Sequence, residues 1–98
     1  MASRLTLEKA HAMKNLPAIT GFQLIRLLQL DGWNRGKRGT HGQALRKYIK
    51  RKQRTLVTVV PRTRASLPAS TLGQILNVKQ TQLGRKGLAA MIKKHGLK

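Results

Sequence analysis

Between Thr20 and Asp31 the apolar positions Leu24, Ile25, Leu27 and Leu28 make one broad stripe with a 3.6-residue period, which predicts a helix. Both of its ends are written in the chain. Thr20 and Gln23 have the Thr-x-x-Gln spacing of a capping box, and Ile19 stands where it can staple onto Leu24. Gly32 offers a left-handed stop, with Trp33 positioned to close on Leu28 and so reading as a core plug rather than a base-stacking platform. From Trp33 to Val60 the pattern shifts to strand alternation, punctuated by Gly36, Gly39 and Gly42. It predicts three strands, near Trp33 to Lys37, Gln43 to Ile49 and Thr55 to Val60, with Lys50 to Arg54 as the turn between the last two. Leu56 to Val60 carries the strongest signal, being rich in β-branched residues and ended by Pro61.

After a loop from Arg62 to Pro68, Leu72, Ile75 and Leu76 return to helical spacing. Thr71 and Gln74 there repeat the capping-box interval, so a helix is expected to begin near Ser70 and Thr71. An interruption from Asn77 to Gly84 precedes a final helix, Arg85 to His95, with Leu88, Met91 and Ile92 on one face. Gly96 and Leu97 give its stop, and Lys93, Lys94 and His95 suit the negative end of its dipole. Residues 1–15 have only a mild amphipathic pattern and are expected to be a loosely ordered extension to one domain spanning 16–98; Met13 offers an alternative translation start. Helix, three antiparallel strands, helix and one extra C-terminal helix make a two-layer α+β fold. The order is the α-β-β-β-α topology of double-stranded-RNA-binding domains, although one fold hosts many functions.

Charge narrows the choice of partner. Twenty-one Lys and Arg face two carboxylates, Glu8 and Asp31, for a formal net charge of +19 over 98 residues. Such a chain requires a polyanion, and nucleic acid fits best because neutralising phosphates releases condensed counterions. More than half of the basic residues fall between Arg35 and Arg64, including Arg38, Arg46, Lys47, Lys50, Arg51 and Lys52, and the strand face is expected to present them as one positive surface. Aromatic rings are scarce. Of Phe22, Trp33 and Tyr48, two are expected in the core, which leaves Tyr48 as the ring a base could stack on.

Two carboxylates from separate segments cannot build a Mg²⁺ or two-metal site, and a chain without cysteine has no thiolate zinc site or cysteine nucleophile. No metal or other cofactor is therefore expected. The chain has no apolar run near the roughly 20 residues of a membrane span and no apolar signal core at its N-terminus, so a cytoplasmic protein without a membrane partner is expected.

Several segments, in order, resemble the HicA family of mRNA interferase toxins: "LPAITGFQLIRLLQLDGW" its first helix, "RGTHG" its Gly-Ser-His or Gly-Thr-His signature, "LVTVVP" its last strand and "LPASTLGQIL" its second helix. The similarity starts at Leu16 and covers about four fifths of the chain. It departs from the family in Gly42, where a bulkier strand residue usually follows the histidine, and in its more basic second half. The resemblance implies a ribosome-independent endonuclease that cuts mRNA and halts translation, neutralised by an acidic HicB-type antitoxin. It makes the strand histidine, His41, the catalytic group and Gly39 and Thr40 its positioning neighbours. Read from the residues alone, His41 is the group within the basic stretch able to move protons near neutral pH, and Arg38 and Lys47 are first candidates to stabilise a phosphorane. The alternative is a noncatalytic basic RNA-binding or ribosome-associated protein, which composition does not separate from a nuclease.

Overall fold

The computed structural model of the chain describes residues 18–97. The expected N-terminal extension, with Glu8 and His11, lies outside them. The described residues fold as a small α+β domain: α1 (Gly21–Leu30), β1 (Asn34–Gly39), β2 (Gly42–Ile49), a 3₁₀ turn (Lys50–Lys52), β3 (Arg54–Val60), α2 (Ala69–Ile75) and α3 (Gly84–His95). The three strands form one antiparallel sheet in the order β1-β2-β3.

Helix α1 starts as the capping box requires. Gln23 N donates to Thr20 Oγ1 at 3.1 Å and Thr20 N donates to Gln23 Oε1 at 2.9 Å, so two amides with no partner inside the helix are satisfied reciprocally. It stops at Gly32, whose φ of 96° a side chain would resist, and Trp33 N returns to Leu28 O at 2.9 Å. Leu24, Leu27 and Leu28 are fully buried, each contributing about 1.5–3 kcal/mol relative to exposure. Trp33 is buried beside them in the core, as its position after the stop implies.

Alternation divides the sheet into two faces. Leu45 of β2 and Leu56 and Val60 of β3 turn inward and join Ile19, Leu67, Ile75, Leu76, Leu88 and Met91 of the flanking segments in a single core. Tyr48, Val57 and Val59 turn outward and remain exposed. The β1–β2 register slips between Arg35 and Arg38, where Gly36 and Lys37 together oppose one residue of β2, a β-bulge.

Two helix starts differ from expectation. Helix α2 begins earlier, with Pro68 at its N-cap and no side-chain cap, and Leu72 N already donates to Pro68 O at 2.9 Å. Thr71 therefore lies inside the helix and its interval with Gln74 is no capping box. Helix α3 begins at Gly84 and ends as read, Gly96 N donating to Ile92 O at 2.7 Å with Leu97 packed on the core. Among the described residues no helix is long and apolar enough to cross a membrane.

Candidate functional site

Gly39 and Gly42 are register partners, so Thr40 and His41 form the whole two-residue link between β1 and β2. His41 thus occupies the exposed tip of a hairpin turn, one residue before β2, rather than the strand position the family signature implies. The cause is Gly42. Its φ of 140° completes the chain reversal, and its missing side chain lets the backbone at Val60 and Pro61 come against it. A Cβ on Gly42 would collide with the Val60 carbonyl oxygen and lie 3.0 Å from Pro61 Cα. Among the described residues none forms a hydrogen bond with the His41 side chain.

The turn is aimed by a buried amide. Gln43 is 2% exposed in a strand position that would ordinarily hold an apolar residue. Its Nε2 donates to Gly36 O at 2.8 Å and to Ala44 O at 2.9 Å, and its Oε1 accepts from Arg35 Nη2 at 3.2 Å. Those bonds clasp the β1 bulge and so set the course of the last residues before the turn, Arg38 among them. Gln43 was not among the expected site residues; the signal for it was a polar residue in an inward position of an alternating strand.

The expected basic surface is divided. Arg38, Gly39, Thr40 and His41 share the turn end of the sheet, whereas Lys50, Arg51 and Lys52 form the 3₁₀ turn at the far end of β2, about 27 Å away at roughly 3.4 Å per strand residue. Arg46 lies between them on the outward face opposite Val57. Lys47 points to the helical side, where its Nζ donates to Asp31 O at 2.8 Å and pairs with Asp31 Oδ2 at 3.5 Å. That commits Lys47 to the end of α1 and away from His41.

The segment after β3 supplies two cations, Arg62 and Arg64, that the sequence places in the basic stretch but that were not among the expected site residues. Residues 61–67 run alongside the start of α1: Leu67 N donates to Ile19 O at 2.8 Å, Ser66 bridges Thr20, and Phe22 N donates to Thr63 O at 3.3 Å. Gly21 permits this approach, since a Cβ there would collide with the Pro61 carbonyl oxygen. Pro61 is therefore held between Gly21 and Gly42, which puts Arg62 and Arg64 on the same end of the molecule as the His41 turn. Phe22, expected in the core, is 40% exposed, and the Arg62 guanidinium lies 5.5 Å from its ring centroid. Two rings, Phe22 and Tyr48, thus face solvent rather than one.

Among the described residues no three His, Cys, Asp or Glu side chains come together, and Asp31 is the sole carboxylate side chain. Compared with protein-family models, with curated protein sequences and with solved structures, the chain has no match.

Proposed function

We propose that this protein is a HicA-type RNA endonuclease that cuts mRNA in the cytoplasm without a metal and is held in check by an acidic HicB-type antitoxin. The proposal includes the finer assignment of the fold, a two-layer arrangement like that of double-stranded-RNA-binding domains. The observation that carries it is the position of His41: exposed at the tip of a two-glycine hairpin, beside Arg38, in a sheet whose other side chains include no second imidazole and no carboxylate.

The chemistry open to such a site is transesterification within the substrate. The His41 imidazole accepts the proton of the 2′-hydroxyl as the 2′-oxygen attacks the adjacent phosphorus. The P–O5′ bond breaks, the 5′-oxygen takes a proton from water, and the products carry a 2′,3′-cyclic phosphate and a 5′-hydroxyl. Arg38 is the nearest cation in sequence able to stabilise the phosphorane as its charge develops. The second reading, a noncatalytic RNA-binding protein, is favoured by one observation: no described side chain orients His41 by a hydrogen bond.

Purified wild type and His41→Ala, incubated with RNA in EDTA, separate the two. Wild type is expected to leave cyclic phosphate ends, His41→Ala to lose at least about 10²-fold in rate with RNA affinity retained, and a 2′-deoxy nucleotide at the scissile position to block the cut. Intact RNA after long incubation with wild type would establish the binder instead.

A further inference from the structure

An open cleft of about 530 Å³ lies beside the start of α1, lined by Thr20, Phe22, Gln23, Arg26 and Arg64. The helix's own amides do not account for it, because those of Thr20, Phe22 and Gln23 are already bonded to Gln23 Oε1, Thr63 O and Thr20 Oγ1. What remains is two guanidinium groups, Arg26 from α1 and Arg64 from the segment after β3. Neither Arg26 nor Arg64 forms a hydrogen bond or ion pair with another described residue, and the one described carboxylate, Asp31, lies at the other end of α1 paired with Lys47. The Phe22 ring with the Arg62 guanidinium against it borders the same cleft. Guanidinium groups match phosphate oxygens in a planar fork, and both an aromatic ring and a guanidinium plane accept an unstacked base.

We propose that this cleft is a phosphodiester-binding subsite for single-stranded RNA, with Arg26 and Arg64 on a backbone phosphate and the Phe22–Arg62 pair against the adjoining base. The inference rests on the endonuclease reading for its substrate and adds the path the strand takes. Pro61 packs against Gly21 at the start of α1 and against Gly42, the residue after His41, so a strand anchored in the cleft is directed along residues 61–64 toward the turn. This assigns RNA recognition to one end of the domain rather than to the outward strand face, where Val57, Val59 and Tyr48 are exposed around Arg46.

The test measures equilibrium binding of a fluorescent single-stranded oligoribonucleotide, using full-length chain carrying His41→Ala so that no cleavage intervenes. Arg26→Ala with Arg64→Ala is expected to weaken binding at least tenfold and to flatten the plot of log affinity against log salt, since each lost phosphate contact removes a slope of about 0.7. The charge-matched pair Lys50→Ala and Lys52→Ala, at the far end of β2, is expected to cost less than threefold. Phe22→Ala is expected to cost about fivefold or more for RNA, from lost stacking, and little for inorganic polyphosphate. Equal losses for the two charge-matched pairs would overturn the subsite, as would a Phe22→Ala effect identical for RNA and polyphosphate. These readouts are independent of cutting. A cleft that binds RNA in a protein that never cuts it would refute the nuclease alone, whereas cutting with binding unaffected by Arg26→Ala and Arg64→Ala would refute the cleft alone.

Discussion

Gly39 and Gly42 flank the same two-residue turn, yet replacing each with alanine is expected to have opposite consequences. At Gly42 the alanine must adopt a φ of 140°, and its Cβ meets backbone, the Val60 carbonyl and Pro61 Cα, which has no flexible end to swing away. Holding a non-glycine residue in such a region costs about 1–3 kcal/mol, and forcing extra volume into a packed contact costs about 1–3 kcal/mol more. Even the lower sum, about 2 kcal/mol, corresponds to a melting temperature lower by at least about 8 °C in a domain of this size. At Gly39 a Cβ meets nothing within 4 Å and no positive φ is required. Gly39→Ala should therefore stay within about 0.5 kcal/mol of wild type. Thermal unfolding followed by circular dichroism decides the matter. Gly42→Ala melting within 3 °C of wild type, or Gly39→Ala losing as much as Gly42→Ala, would show that the close packing of β2 on Pro61 does not shape the turn.

Two further substitutions probe what supports the site. Gln43→Leu keeps the position buried and similar in volume but leaves the Gly36 and Ala44 carbonyls and Arg35 without their partner, so it is expected to cost about 1–3 kcal/mol. If the bulge aims His41, the same variant should lower cleavage more than RNA affinity, and Gln43→Glu, which still accepts from Arg35, should recover stability less than activity; equal loss of both in every variant would reduce Gln43 to a structural part. Thr20→Ala removes one arm of the α1 capping box and is expected to cost about 1 kcal/mol, seen as a lower denaturation midpoint at an unchanged slope.

The parts of the fold legible in the chain were those where several local signals agreed. At α1 the apolar period, the Thr20–Gln23 box and the Gly32 stop all pointed to the same boundaries, and the strands followed from alternation closed by Pro61. The α2 start misled because a capping-box interval also arises by chance inside a helix, and Pro68, already at a suitable φ of −58°, had begun the helix without a side-chain cap. Phe22 was read by the burial habit of aromatic rings, while helical arithmetic puts it four residues from Arg26, on the stripe opposite Leu24 and Leu28. Arg62 and Arg64 counted as part of a basic stretch; that they stand near His41, and Lys50 to Lys52 do not, follows from strand direction and length, which charge runs do not encode. The apposition of Pro61 with both Gly21 and Gly42 joins residues about forty and about twenty positions apart, non-local contacts that no short window on the sequence contains.

That apposition also bears on when the protein becomes competent. His41 belongs to a hairpin that forms locally, but a lone two-stranded hairpin is only marginally stable in water, and here its backing comes from Pro61 and its neighbouring cations from Arg62 and Arg64. During synthesis the imidazole leaves the ribosome about twenty residues before those groups do. A chain at that stage carries the His41 imidazole, the proposed proton-transfer group, with neither the Pro61 contact at Gly42 nor the cleft beside α1. The ends of α1, β2 and β3 must close together before the proposed RNA path exists, so the candidate site comes into being with the finished tertiary fold and not with the motif that marks it in the sequence.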